Sequence, residues 1–103
     1  MTILTSILTD ELERTERMLK KYLIDLSKLP KGSIVVKKRN DSKYCYLTYR
    51  DKQKIITEYL GTIDSNKVLM TRGKLMEREK LKNIILELKH ELNKLNKILK
   101  NGK

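Results

Sequence analysis

The stretch from Ser33 to Gly61 reads SIVVKKRNDSKYCYLTYRDKQKIITEYLG, and its texture decides the fold. Ser33–Lys38, Lys43–Arg50 and Lys54–Leu60 are runs of β-branched and aromatic residues, which suit a pleated, half-buried surface. Between them stand Arg39-Asn40-Asp41-Ser42 and Asp51-Lys52-Gln53, polar segments of the kind that turn a chain back on itself. Connections this short allow only antiparallel neighbours, so residues 33–61 predict a three-stranded meander in the order 1-2-3. On the central run, alternation puts Tyr44, Tyr46 and Thr48 on one face and Cys45, Leu47 and Tyr49 on the other. Both faces are partly apolar. The third run sets Ile55 and Tyr59 at one parity and Ile56 and Leu60 at the other, so alternation alone assigns no buried side.

Outward from the meander, the period changes to that of a helix. Leu8, Leu12, Thr15, Leu19, Tyr22, Leu26 and Leu29 are spaced alternately by four and three, a heptad seam with Thr15 in one apolar position. Ile7, Met18 and Leu23 widen it, and the other faces are charged, acids first and bases later, the order that suits the helix macrodipole. Pro30 and Gly32 end this helix, because the residue before a proline leaves the α region and the glycine frees the backbone to turn. Beyond the meander a second seam runs through Leu81, Ile85, Leu88, Leu92, Leu95 and Leu99, supported by Ile84 and Ile98. Residues 62–73 read as a connection or short helix capped by Asp64 or Ser65, with Gly73 a weak point or kink. A meander ends a strand length, roughly 20 Å, from where it began, and this stretch must cover that distance before the two helices can pair.

The expected fold is therefore α+β in the order αβββα, one domain spanning 1–103. A helix over 1–29 and a long helix over 74–100 flank the meander and pack as an antiparallel, coiled-coil-like pair. Composition agrees with a thin core: 39% of the 103 residues are hydrophobic, 36% are charged, and there is no Trp or Phe. Cys45 is the single cysteine, so no internal disulfide is possible, which fits a reducing, cytoplasmic setting. No run resembles a signal peptide or approaches the roughly 20 apolar residues of a membrane span, so no membrane partner is expected.

Charge gives the functional lead. The net charge is +11, but residues 1–29 carry five acids and five bases, residues 30–61 eight bases against three acids, and residues 62–103 eleven against five. The basic meander also holds four of the five tyrosines. Tyr44, Tyr46 and Arg50, with Lys37, Lys38, Arg39, Lys43, Lys52 and Lys54 nearby, form the candidate binding surface. Rings beside cations can stack on bases while the cations neutralise phosphates, and a two- or three-stranded ribbon can enter a groove. The same residues also describe an ordinary solvated sheet with lysine-blunted edges. The helical seams offer a second surface, for intramolecular packing or for a homodimer, with Ile3, Leu4, Ile7, Ile84 and Ile98 left over for a partner. A third is the basic face of the second helix, Lys74, Arg78, Lys82, Lys89, Lys94, Lys97 and Lys100, interrupted by Glu77, Glu79, Glu87 and Glu91 and so equally a solvated mixed-charge face. Chemistry has little to work with. His90 lacks a cysteine or second histidine for zinc, the paired acids lack a nucleophile or phosphate loop, and neither enzyme activity nor a cofactor is expected.

The segment Leu29-Pro30-Lys31-Gly32-Ser33-Ile34-Val35-Val36-Lys37-Lys38, continued by Tyr44-Cys45-Tyr46-Leu47-Thr48-Tyr49-Arg50 and closed by Lys54 and Glu58-Tyr59-Leu60-Gly61, resembles a group of small uncharacterised bacterial, archaeal and phage proteins. They share a leading helix, a Leu-Pro-Lys-Gly-Ser opening, a tyrosine-rich meander ending Tyr-(Leu/Ile)-Gly and a trailing charged helix. The resemblance covers residues 29–61 and implies that fold. The meander is also similar, more loosely, to the three-stranded arm-binding domains of tyrosine recombinases and the N-terminal β-segments of some transposases, where Tyr, Arg and Lys face DNA. Size, charge and the two-helix frame look like phage-encoded antagonists of host defence, including anti-CRISPR proteins. The leading expectation is nucleic-acid binding, DNA or RNA, through the Tyr/Lys/Arg face of the meander. The alternative is an inhibitor that binds a nucleic-acid-guided nuclease, such as a CRISPR effector, and blocks its guide or target site.

Overall fold

The structure, a computed structural model, describes residues 2–101. It contains α1 (Ile3–Ser27), β1 (Ser33–Arg39), β2 (Ser42–Asp51), β3 (Lys54–Thr62) and α2 (Asn66–Asn101), in that order, with the strands in one antiparallel sheet ordered β1-β2-β3. This is the expected αβββα arrangement of the α+β class. No helix among the described residues is long and apolar enough to cross a membrane.

The described chain divides into two compact units. One holds Leu29–Glu79, the other α1 together with α2 from Lys80 onward. In the first, the sheet lays one face against the beginning of α2. Cys45, Leu47, Leu60 and Val68 are buried there, with Ile34, Tyr49 and Leu75 packed around them. The inward side of β2 is thus the Cys45/Leu47/Tyr49 side, which alternation had left undecided. Both hairpin loops are two residues long, and their first residues, Asn40 and Lys52, take φ of 56° and 57°, the left-handed conformation that lets so short a loop follow the strand twist. Gly32, with φ of 113°, leads into β1 where a Cβ would press into the Thr48 carbonyl oxygen and come within 2.8 Å of Tyr49 Cβ. No side chain fits in that approach.

The register settles the double parity of β3: Ile55 and Tyr59 are opposite Arg50 and Tyr46 on the open side, and Ile56 is opposite Tyr49 on the core side, the side on which alternation also puts the buried Leu60. Tyr46 pairs with Tyr59 but Cys45 pairs with Gly61, so there is one residue in excess on β3 here, a bulge that follows Tyr59. Ser65 then caps α2: its Oγ accepts from the Val68 N–H at 3.3 Å and its carbonyl from the Leu69 N–H at 3.1 Å. Residues 66–73 are accordingly the first two turns of α2, which runs through Gly73 as one helix.

In the second unit, the half-buried or buried residues of α2 are Leu81, Ile85, Leu88, Leu92, Leu95 and Leu99, the seam expected from the sequence. On α1 they include Leu8, Leu12, Thr15, Leu19, Tyr22 and Leu26. Thr15, 3% exposed, donates its hydroxyl to the Glu11 carbonyl at 2.8 Å, so the polar atom in this seam is satisfied. Leu23 and Leu26 share a groove with Ile85 and Leu86, placing the end of α1 beside this part of α2. Ile84 and Ile98 do not add to the buried seam; with Ile3, Leu4 and Ile7 they are exposed, as expected of apolar surface left over beside the seams.

Arg78 departs from the expected basic face. It sits half-buried on the α2 stripe that begins Val68, Thr71, Leu75, and its Nη1 donates to the Leu29 carbonyl at 3.4 Å. The cause is helical spacing, since 78 lies three residues after Leu75 and three before Leu81.

Candidate nucleic-acid interface

In an antiparallel pair, residues directly opposite one another share a face. The register Val35↔Tyr46, Lys37↔Tyr44, Arg39↔Ser42 therefore places Lys37 and Arg39 beside the Tyr44/Tyr46 side of β2, the side away from Cys45 and Leu47. Tyr46↔Tyr59, Thr48↔Thr57 and Arg50↔Ile55 extend that face across β3. The open face thus carries three tyrosines, Tyr44, Tyr46 and Tyr59, and three cations, Lys37, Arg39 and Arg50.

Among the strand residues its charge is one-signed, and one carboxylate from beyond β3, Asp64, accepts from Thr62 Oγ1 at 2.9 Å at the Tyr44 end. Glu58 pairs with Leu47 and Asp51 with Lys54, so by alternation both strand carboxylates belong to the core-facing side. There Glu58 is held by Tyr49, whose hydroxyl donates to Glu58 Oε1 at 2.8 Å. That hydrogen bond, reinforced by partial burial and by the negative charges of Glu58 and Asp51, raises the phenol above its ordinary range. No Asp or Glu among the described strand residues lies on the open face.

The rings form one group. Tyr59 has its centroid 5.4 Å from Tyr46, at 60° between planes, and 6.3 Å from Tyr44, at 47°. Tilted pairs at these distances are favourable, and no ring is covered by a parallel neighbour. Lys37 Nζ lies 5.0 Å from the centre of the Tyr46 ring, within cation–π range. Tyr59 is 53% exposed and Tyr44 and Tyr46 half-exposed, so the group is available to solvent.

The expected site residues therefore divide. Lys37, Arg39, Tyr44, Tyr46 and Arg50 share the open face. Lys38, opposite Lys43, falls with it on the core-facing side at the sheet margin, where both are exposed; Lys54, opposite Asp51, is also on that side, and Lys52 is in the β2–β3 loop. Tyr59 was missed. Its sequence signal was parity with Ile55, which the register keeps unbroken, but with apolar residues at both parities β3 alone did not show which side was open.

Among the described residues no group of three His, Cys, Asp or Glu side chains could hold a metal ion. Cys45 is free and buried beneath the sheet.

Residues 8–68 match the family described as Domain of unknown function (DUF6788). The chain belongs to the DUF6788 family. No curated protein and no solved structure matches it. The DUF6788 match runs from the first α1 seam residue, through the whole meander, to Val68, the α2 residue fully buried against the sheet. It contains all three rings and all three cations of the open face, so what the DUF6788 region spans is this face with the core that supports it.

Proposed function

We propose that this chain is a small non-enzymatic binding protein that holds nucleic acid against the open face of its sheet. The observation that carries this reading is the segregation of charge and rings by face. Lys37, Arg39 and Arg50 stand with Tyr44, Tyr46 and Tyr59, while Asp51 and Glu58 point to the other side. A polyanion meets cations and ring faces there with no strand carboxylate among them, Asp64 being tied to Thr62 at the Tyr44 end, and a net charge of +11 draws it in from a distance. Phosphate contacts supply most of the affinity, so binding falls steeply as salt rises.

The test compares two triple variants carrying the same charge change. Replacing Lys37, Arg39 and Arg50 by Ala is expected to weaken binding and to flatten the logarithmic salt dependence by about 2 to 3, at about 0.7 to 0.9 per lost phosphate contact. Replacing Lys38, Lys43 and Lys54 by Ala changes the net charge equally but leaves the open face intact, and its effect is expected to be several-fold smaller. Equal losses in the two variants, or no binding of the native chain at 50 mM salt, would reject the open face as the binding surface.

A further inference from the structure

We infer that the open face takes single-stranded nucleic acid, with bases resting on Tyr59 and its two neighbours, rather than a duplex. The inference rests on the reading of that face as a nucleic-acid surface and names which form of the polymer it selects.

The first argument is width. The major groove of B-DNA, about 12 Å across, admits one helix or a two-stranded ribbon, so of the two- and three-stranded entries expected from the sequence only the narrower fits lying flat. Three strands about 4.8 Å apart already span about 10 Å between outer backbone axes, before any backbone thickness or side chain is added. Both hairpin loops are two residues long, so no extended loop projects from the sheet to reach base edges. A duplex lying on this surface would offer the cations its phosphates and leave the tyrosines facing sugar and backbone.

The second argument is where the rings stand. Tyr46 lies on the central strand, Tyr59 is its direct partner on β3, and Tyr44 is two residues along β2. Tyr44 and Tyr46 stand on the central strand and Tyr59 on the β3 edge, so the rings run from the middle of the face to one side of it. With 60° and 47° between ring planes, none of the three is sealed by stacking on another, and Tyr59 at the centre of the trio is the most exposed, at 53%. Exposed ring faces on a sheet are useful to a polymer whose own base faces are open, which is the property that separates a single strand from a duplex. The cations complete the track. Lys37 and Arg39 lie toward the Tyr44 end of the sheet and Arg50 at the other, six residues or about 20 Å from Tyr44 along β2. Phosphates on either side of two or three stacked bases can reach both groups. Lys37, already over the Tyr46 ring at 5.0 Å, needs only a side-chain rotation to exchange that ring for a phosphate oxygen.

Fluorescence anisotropy with the full chain at 50 mM salt tests this, using end-labelled 12-mers of mixed sequence as single-stranded DNA, as single-stranded RNA and as the blunt DNA duplex. Single strands are expected to bind at least tenfold more tightly than the duplex. Tyr59→Ala is expected to weaken single-strand binding roughly 5- to 100-fold and to leave duplex binding unchanged, while Tyr59→Phe, which keeps the ring, stays within about twofold of the native chain. Circular dichroism confirms that each variant is folded. A difference between the RNA and DNA arms assigns the preferred sugar. A duplex bound as tightly as the single strands, or single-strand binding indifferent to Tyr59→Ala, would overturn this inference and leave the open face as a phosphate-binding surface. Failure of all three probes to bind would overturn both readings.

Discussion

The hydrogen bond from Tyr49 to Glu58 does two things at the scale of single residues. It holds in place a carboxylate that alternation already sets on the core-facing side of the sheet, away from Tyr46 and Tyr59. It also makes the stability of the sheet depend on alkaline pH. The neutral phenol donates; ionising it loses the bond and sets a phenolate beside the Glu58 carboxylate, with Asp51 adding to the repulsion, so the folded chain holds that proton above the phenol's ordinary value of 10.0. A pKa raised by folding means stability that is fully present below the unfolded value and disappears as pH climbs through the folded one. Glu58→Ala is therefore expected to lower stability at pH 8, and the gap between variant and native chain to close above pH 10. Titration of tyrosine absorbance at 295 nm checks the cause directly: the Tyr49 transition should move to lower pH in Glu58→Ala. Superimposable titration curves would mean that the pair does not set this proton's affinity.

Secondary-structure elements show most clearly which parts of the molecule are legible from residues alone. Both seams were legible because leucine and isoleucine at heptad spacing have one reading in a helix, and the meander because its turns are polar and short. Arg78 was not, since a charged residue carries no sign that its guanidinium will reach a backbone carbonyl such as that of Leu29. Tyr59 was not, because the cross-strand register that sets it beside Tyr46 is a property of pairing, and apolar residues at both parities of β3 do not show which side is open. Gly73 left two readings open, a connection before the long helix or a weak point inside a helix that starts after Ser65, and α2 passes through it as the second allowed. Nothing lies within 4 Å of where its Cβ would be, so the glycine there serves no close approach. Gly73→Ala is accordingly expected to stabilise α2 by about 1 kcal/mol, the helix-propensity difference between the two residues. Gly32→Ala, with its left-handed φ and a Cβ aimed at the Thr48 carbonyl, should instead destabilise the sheet unit. Thermal denaturation of the two variants separates these opposite signs, and a loss of stability in Gly73→Ala would reveal a role for that glycine that its empty surroundings do not suggest.

At the scale of the whole molecule, each compact unit buries few hydrophobic side chains among the described residues: Cys45, Leu47, Leu60 and Val68 in one, Ile85 and Leu95 in the other. A thin core makes charge repulsion matter, because a net charge of +11 on 103 residues works against compaction at low ionic strength. Salt shortens the range of that repulsion, from about 30 Å at 0.01 M to about 3 Å at 1 M, and so should raise the melting temperature of the free protein. The same ions compete with it for phosphates and weaken binding. Folding and binding are thus expected to respond to salt with opposite signs. If the melting temperature of the free chain rises by several degrees between 20 mM and 500 mM NaCl while affinity for single-stranded DNA falls, the loss of affinity cannot be unfolding and belongs to the cations of the open face. A melting temperature that falls over the same range would mean that favourable charge pairs, not repulsion, dominate the fold, and the neutralising variants would then have to be judged against their own loss of stability.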